Sequence, residues 1–192
     1  MRLLGLVIAG GSARRMGFEK TFARIGGRTI LERIITTLSP QVDSLIINAN
    51  GDSARFADTC LAVVADLRPE IGTPLAGIHA GLRMARRDGF AAVLTVPSDC
   101  PFLPADLATR LSPGPSVAAS GGMDHVLTGL WPVNLLQSLE DGLDSGLRRV
   151  KDWAAICRAR SVEWPVSPFD PFLNLNTPAD LAEAERIARQ EG

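Results

Sequence analysis

Short apolar runs, separated by amphipathic stretches, set the pattern of the first half of the chain. Such runs, rich in Val, Ile and Leu, are typical of buried parallel strands. They cover residues 3–9, 45–47, 61–65 and 90–96. Because stretches with helical spacing alternate with them, the sequence predicts an α/β fold. In this fold, helices cover both faces of a mainly parallel sheet.

Two helices are predicted between these strands. Thr29 and Glu32 form a capping-box pattern, after which apolar residues recur at helical spacing until Pro40. The residues just before this pattern, 25–28, are predicted to form a turn. A second helix is predicted over residues 75–87, where apolar side chains fall on one face.

The second half is less regular, and its elements are predicted from shorter signals. A strand ending at Pro165 is expected at a sheet edge, because proline cannot donate to a strand ladder. Thr177 and Pro178 give a cap residue and a first-turn proline, so a final helix is predicted to begin there. The remaining predictions are helices over 103–111, 135–143 and 147–157, and strands over 117–119 and 126–131, the latter antiparallel.

Polar side chains follow three of the predicted strands. Asn48 and Asn50 come after the second strand, Asp66 after the third and Asp99 after the fourth. Ligands of open α/β sheets bind outside the carboxyl ends of the strands. We therefore expect these residues, together with the turn at Gly10, to converge on one crevice.

The loop after the first strand is rich in glycine and arginine. Gly10 and Gly11 lack a Cβ, so their turn is able to aim several N–H groups at one anion. Arg14, Arg15 and Lys20 follow within reach. The spacing matches neither the P-loop nor the dinucleotide fingerprint. The combination of N–H groups and cations favours a polyphosphate ligand.

Composition and charge exclude several classes of protein. The 192 residues are 46% hydrophobic and 21% charged, and the net charge is −1, so no global field draws the chain to nucleic acid or an acidic membrane. The three cysteines are dispersed and there are two histidines, which argues against a disulfide framework or a zinc site. No apolar run approaches the ~18 residues of a membrane span. We expect a cytoplasmic protein that acts as a monomer.

The string Ala9-Gly-Gly-x-x-x-Arg-Met-Gly-x-Glu-Lys20 resembles the signature loop of the GT-A-like nucleotidyltransferases. Within that superfamily, the chain resembles the molybdenum cofactor guanylyltransferase family over nearly its whole length. The resemblance implies a Rossmann-like, GT-A-like fold of the nucleotide-diphospho-sugar transferase type, with a single three-layer domain over residues 1–192. Residues 1–101 are expected to bind mainly the nucleotide, and residues 102–192 mainly the acceptor.

The resemblance also implies the residues of the nucleotide site. Asn48 and Asp66 match the family's nucleotide-contacting residues, and residues 72–78 resemble its G-P-L-A-G motif. An amide and a carboxylate suit the edge of a guanine or a ribose. The full set of implied nucleotide-binding residues is Ile8, Ala9, Gly10, Gly11, Lys20, Asn48, Asp66 and Asp99.

Three residues are expected to carry the chemistry. Asp99 is a strand-end carboxylate beside a phosphate loop, and Mg²⁺ typically takes one or two carboxylates plus phosphate oxygens. Lys20 would bridge phosphate oxygens and stabilise the charge that develops on pyrophosphate. Arg15 is the second expected phosphate ligand. Glu19 stands where the family more often has Asp, and the charge is kept.

Segments in the second half resemble the family's acceptor side. His125 begins a segment similar to H-P-T-x-x-L-x-P, although Val126 and Gly129 depart from that pattern. The resemblance implies that Arg148, Arg149, Asn174 and Asn176 bind a phosphorylated pterin. The implied reaction is transfer of GMP from GTP to molybdenum-loaded molybdopterin, with transient contacts to cofactor-biosynthesis proteins and molybdoenzyme chaperones.

Two other functions stay open on the sequence. One is a neighbouring transferase that uses CTP on molybdopterin, or a nucleotide on a sugar phosphate, because no residue separates guanine from cytosine on physical grounds. The other is a non-catalytic nucleotide-binding module. The presence of both Lys20 and Asp99 favours an enzyme, since a simple binder has no need of a metal.

Overall fold

A computed structural model describes residues 1–10 and 20–191. The described residues form nine strands: β1 (Leu3–Ile8), β2 (Arg24–Ile25), β3 (Arg28–Thr29), β4 (Ser44–Asn48), β5 (Ala62–Val64), β6 (Ala92–Pro97), β7 (Ser116–Ser120), β8 (Met123–Pro132) and β9 (Arg160–Trp164). They also form six α-helices: α1 (Ile30–Leu38), α2 (Pro74–Arg87), α3 (Leu107–Leu111), α4 (Leu136–Asp144), α5 (Val150–Ile156) and α6 (Pro178–Glu191). Short 3₁₀ helices occur at Lys20–Phe22, Ser39–Gln41, Ser53–Thr59, Pro69–Ile71 and Val133–Leu135.

Seven of the strands make one sheet in the order β5-β4-β1-β6-β8-β7-β9. Strands β5, β4, β1 and β6 are parallel, whereas β8 runs antiparallel to both β6 and β7. β9 pairs in parallel with β7 and lies at one edge, as the proline after it predicted. The carboxyl ends of β1, β4, β5, β6, β7 and β9 therefore lie along the same edge of the sheet.

Helices cover both faces of the sheet, so the predicted three-layer α/β fold is confirmed. One hydrophobic core joins the sheet to α1, α3 and α6, and the other joins it to α2, α4 and α5. Neighbouring residues of β1 divide between them, because Leu6 packs in the second core and Val7 in the first. Both β1 and β6 are buried along their whole length, which explains their uninterrupted apolar runs.

The start of α1 follows the predicted capping box. The Thr29 hydroxyl accepts from the Glu32 backbone N–H at 3.1 Å, and the Glu32 carboxylate accepts from the Thr29 N–H at 2.6 Å. The turn before it is the tip of the β2–β3 hairpin, where Gly26 and Gly27 have φ of 56° and 80°. Positive φ costs glycine little, so this pair sets the turn that feeds α1.

Two helices begin later than the sequence predicted. The prediction for α3 started at 103, but the helix begins at Leu107. The prediction for α5 started at 147, but Gly146 has a φ of 92° and Arg149 is extended, so the helix begins at Val150. Apolar residues before both helices pack without continuing the helical backbone. Within residues 1–10 and 20–191, none of the helices combines the length and apolar character that crossing a bilayer demands.

Candidate active site at the carboxyl edge of the sheet

The end of β1 holds the ends of its two neighbours together. The Ala9 N–H donates to the Asn48 carbonyl at 2.8 Å, and the Ser98 N–H donates to the Ile8 carbonyl at 3.1 Å. Since neighbouring strands lie about 4.8 Å apart, the ends of β4 and β6 flank β1 within about 10 Å of each other. The predicted convergence of the first, second and fourth strand ends is therefore observed. The Ala9 N–H is thus used in a hydrogen bond between the strands.

Asn48, Asn50 and Asp66 form one hydrogen-bonded cluster at this edge. Asp66 accepts from the Asn48 side chain at 2.9 Å and from the Asn50 side chain at 2.6 Å. The Asn50 side-chain oxygen in turn accepts from the Asp66 backbone N–H at 2.9 Å. Asn48 also donates to the Val64 carbonyl at 3.1 Å. The carboxylate and both amides are thus fixed in orientation by protein contacts alone.

Two glycines border this cluster. A Cβ built on Gly77 in α2 would collide with the Asn48 side-chain oxygen, so only glycine leaves room for the buried amide. Gly10 also lies beside the cluster, where a Cβ would come 3.7 Å from the Asn48 side-chain oxygen and 3.9 Å from the Asn50 side-chain nitrogen. Gly77 ends the G-P-L-A-G-like segment, which gives a physical reason for the last glycine of that motif.

Asp99 lies at the adjacent strand end, half-buried in the loop after β6. Its carbonyl accepts from the Leu175 N–H at 3.1 Å, which ties this loop to the segment before α6. The next residue, Cys100, is buried, and its thiol donates to the Asn174 side-chain oxygen. Asp99, the predicted metal ligand, is therefore next in sequence to the cysteine that contacts Asn174, one of the predicted acceptor residues.

The four predicted acceptor residues fall into two places. Asn174 and Asn176 are exposed and lie beside the Asp99 loop, where the Asp180 carboxylate accepts from the Asn176 N–H at 2.7 Å. Arg148 and Arg149 are exposed between α4 and α5. The structure joins the asparagines to the Asp99 loop, and among the described residues it shows no contact of either arginine with that loop.

Arg148 instead lies near the loop that follows Asp66. Its guanidinium donates to the carbonyls of Leu143 and Leu147 at 3.1 and 2.8 Å. Glu70 has a pKa below its usual value, chiefly from a backbone hydrogen bond, with Arg68 and Arg148 contributing by charge. Arg148 thus caps the carboxyl end of α4 through these two carbonyls.

A second polar cluster, which was not among the predicted site residues, lies at the ends of β7 and β8. The Ser120 hydroxyl donates to Asp170 at 2.8 Å, and His125 Nε2 is 2.6 Å from the same hydroxyl oxygen. The His125 ring packs on Phe172 with centroids 4.8 Å apart. The segment resemblance at His125 was the sequence signal for this cluster, but Ser120 and Asp170 carried none.

The Cys100 and Cys157 thiols and the His125 imidazole have pKa values shifted toward the uncharged form. Burial raises the pKa of Cys100 well above its usual value, and the charges of Asp99 and Asp170 raise it further. Burial also raises the pKa of Cys157 to about 12. The pKa of His125 is lowered, with burial the largest cause. Neither Cys100 nor Cys157 is therefore available as a thiolate nucleophile.

The donor set suits Mg²⁺ held jointly with a nucleotide. Asp99 is a half-buried carboxylate at the edge, and within residues 1–10 and 20–191 no three His, Cys, Asp or Glu side chains group closely enough to hold a metal by themselves. Mg²⁺ keeps several water or phosphate ligands and needs one or two carboxylates. Asp99 would hold it on the protein side.

Several predicted residues lie outside the part of the chain that the structure describes. These are Gly11, Arg15, the other loop residues Arg14 and Glu19, and the side chain of Lys20. For Lys20 the described backbone begins a 3₁₀ helix, and the next residue, Thr21, donates to the Ser98 hydroxyl at 3.1 Å. The backbone just after Lys20 is therefore anchored next to the Asp99 loop.

Comparison with known proteins gives a family for this fold and site. The MobA-like NTP transferase domain family matches residues 5–159. The molybdenum cofactor guanylyltransferase of Nitrobacter hamburgensis is 47% identical, over 98% of this chain and 95% of the relative. That of a Bradyrhizobium species is 48% identical, over 97% and 93%. Among solved structures, molybdopterin-guanine dinucleotide biosynthesis protein A of Archaeoglobus fulgidus aligns with a TM-score of 0.72 and 24% identity, over 97% of this chain and 99% of that one.

The fold and the matched domain define the class: the protein is a nucleotidyltransferase with a GT-A-like fold. Identity above 45% over nearly the full length of both chains narrows the class further. The chain belongs to the molybdenum cofactor guanylyltransferase family.

Proposed function

We propose that this enzyme transfers GMP from GTP to molybdenum-loaded molybdopterin and releases pyrophosphate. The observation that carries the proposal is the prearranged Asn48–Asn50–Asp66 cluster beside Gly10, which only β1 separates from the Asp99 loop, in a chain of this family. The cluster offers amide and carboxylate groups to a nucleoside, and the loop offers a carboxylate to Mg²⁺.

The chemistry needs no protein nucleophile. An oxygen of the acceptor's terminal phosphate attacks the α-phosphorus of GTP, and a new P–O bond forms. The bond between the α-phosphorus and the bridging oxygen breaks in line, and pyrophosphate leaves with that electron pair. The second pKa of a phosphate monoester is about 6, so the attacking oxygen is largely deprotonated near neutral pH.

The protein contributes positioning and charge neutralisation. Asp99 would hold Mg²⁺, which would supply positive charge to the phosphates when bound. Lys20 and Arg15 are proposed as phosphate ligands, together with the backbone at Gly10 and Gly11. Asn48 and Asp66 would orient the nucleoside, while the carbonyl of Ile8 and the N–H of Ala9 hold the strand ends in register.

Arg148, Arg149, Asn174 and Asn176 are proposed to bind the phosphorylated pterin. Asn174 has its side-chain oxygen occupied by the Cys100 thiol, which leaves its amide N–H groups to face a ligand oxygen. We further propose a single cytoplasmic domain that acts as a monomer, with transient contacts to cofactor-biosynthesis proteins and molybdoenzyme chaperones.

The direct test is to incubate the protein with Mg²⁺, labelled GTP and molybdenum-loaded molybdopterin, and to search for the labelled dinucleotide and for pyrophosphate. The expected result is both products in equal amounts, and neither when Mg²⁺ is chelated. A parallel reaction with CTP controls for the base. Product formation with CTP in preference to GTP, or no pyrophosphate with either nucleotide, would overturn the proposal.

A further inference from the structure

Ser98 bonds to the chain on both sides of the glycine-rich loop that follows β1. Its backbone N–H donates to the carbonyl of Ile8, the last residue of β1, at 3.1 Å. Its side-chain oxygen accepts from the hydroxyl of Thr21, the residue after Lys20, at 3.1 Å. The start and the end of the loop are therefore tied to one residue, and Asp99 comes directly after it.

Two separate parts of the fold present these hydroxyls to each other. Ser98 follows β6, which pairs with β1 up to the last residue of both strands. Thr21 lies in the 3₁₀ helix Lys20–Phe22, and the ring of Phe22 packs against that of the buried Phe56 with centroids 5.5 Å apart. The backbone on each side is thus held by the sheet or by the core, and the hydroxyl pair joins the two sides.

The hydroxyl pair is a single bond that either substitution removes. Thr21 and Ser98 are both half-buried, so the bond is partly shielded from water. A hydroxyl offers one donor and two acceptor positions, so the pair needs no third group. A neutral hydrogen bond of this kind is worth about fivefold in an equilibrium constant.

We propose that Thr21 and Ser98 are positioning residues for the β- and γ-phosphates of the nucleotide. Lys20, a proposed phosphate ligand, precedes Thr21, and Asp99, the proposed Mg²⁺ ligand, follows Ser98. The hydroxyl bond therefore sets the separation of the two backbone positions that carry these ligands. The inference rests on the proposed function, because it takes Lys20 and Asp99 as groups that act on the phosphates of GTP.

The effect of the hydroxyl bond is expected to be confined to the phosphates. A cation and a metal ion neutralise one polyphosphate together only when both are held close to it, since their attraction falls with distance. The cluster that is proposed to orient the nucleoside is held by its own bonds, between Asp66 and the side chains of Asn48 and Asn50. Loss of the hydroxyl bond should therefore leave the nucleoside end of the site unchanged.

The test is a calorimetric comparison of GTP and GMP binding, with Mg²⁺, in the full chain and three variants. The variants are Thr21→Val, Ser98→Ala and the two together. Each single variant is expected to lose about fivefold in affinity for GTP. Affinity for GMP, which lacks the β- and γ-phosphates, should stay unchanged. The double variant should bind GTP no more weakly than either single variant, because both substitutions remove the same bond.

Two further variants serve as controls. Thr21→Ser keeps the hydroxyl and should bind GTP as the unsubstituted protein does. Thr36→Val makes the same change from hydroxyl to methyl in α1, where the Thr36 hydroxyl donates to the Glu32 carbonyl at 2.8 Å, and it should leave both affinities unchanged. GTP binding by Thr21→Ser that is as weak as that of Thr21→Val would overturn the inference.

The outcomes distinguish this inference from the proposed function. Unchanged GTP affinity in both single variants would reject the positioning role, and the proposed function would stand if the unsubstituted enzyme still forms the dinucleotide. Equal losses for GTP and GMP would also reject the role, because they indicate a structural effect on the whole site. Losses that multiply in the double variant would reject it as well, since the two hydroxyls would then act separately. Absence of GTP binding by the unsubstituted protein would reject both.

Discussion

At the nucleotide end of the carboxyl edge, Asn48 is 2% exposed and bonded to Asp66, whereas at the acceptor end Asn174, Asn176, Arg148 and Arg149 are exposed. The nucleotide groups lie at or just after the carboxyl ends of neighbouring strands and hold one another in place. The acceptor groups lie on connecting segments: Cys100 and Asp180 contact the two asparagines, and Arg148 donates to backbone carbonyls at the end of α4. Substitutions at the nucleotide end should therefore change stability and GTP binding together, whereas at the acceptor end an exposed side chain such as Arg149 should change binding of the acceptor without changing stability.

The largest effect is expected between the two ends, at Asp99. Asp99→Asn keeps the shape of the side chain and the backbone contact to Leu175, but it removes the charge that would hold Mg²⁺. We expect kcat to fall on the order of 10²–10³-fold or more, with an unchanged thermal midpoint. Rates at saturating GTP and Mg²⁺, with the exposed Asp58→Asn as a charge-matched control, provide the measurement. Normal Mg²⁺-dependent turnover in Asp99→Asn would refute its role.

Gly77→Ala should show the coupling expected of the nucleotide end. The added methyl collides with the Asn48 side-chain oxygen in a buried position, so we expect a loss of about 1–3 kcal/mol of stability and a weaker affinity for GTP. Chemical denaturation and GTP titration measure the two effects. In the double variant with Asn48→Ala, stability should recover while GTP affinity stays low. An unchanged stability of Gly77→Ala would show that the cluster is not rigid.

Substitutions of Arg148 and Arg149, at the acceptor end, should have different effects on stability. Arg148 donates to two carbonyls at the end of α4, so Arg148→Ala should lower stability by about 1 kcal/mol as well as weaken the acceptor. Arg149 is exposed at the start of α5, so Arg149→Ala should raise the molybdopterin KM and leave stability unchanged. Equal stability losses in both variants would remove this distinction.

The smallest effect on activity is expected away from both ends. Thr29→Ala removes the side-chain cap of α1 and should cost about 1 kcal/mol of stability. Because α1 contributes no residue to the proposed site, kcat and both KM values should stay at their original levels. A change in either KM would mean that the site depends on the packing of α1.

The parallel strands of the first half could be predicted from the sequence because they are apolar runs that polar residues follow. Asn48, Asp66 and Asp99 follow three such runs, so their placement at one edge needed only the parallel topology. The contact of Gly77 with Asn48 could not be predicted in this way, since it depends on how closely α2 packs against β4. The same is true of Asn50, whose bonds to Asp66 cross from one strand end to another.

The acceptor end was harder to predict because its groups come from distant parts of the chain. Cys100 reaches Asn174 across 74 positions, and Ser120 reaches Asp170 across 50. Neither pair has a local sequence pattern that indicates a contact. The resemblance at residues 174–178 indicated a role for the asparagines, but only the fold shows which loop holds them.

The most direct test of the account is a calorimetric titration of GTP, with Mg²⁺, into the unsubstituted protein and into Asp66→Asn. Asp66 is the residue that accepts from both Asn48 and Asn50, so the account predicts at least about a tenfold loss of GTP affinity in the variant. An equal affinity of the two proteins for GTP would contradict the claim that the nucleotide binds at this cluster.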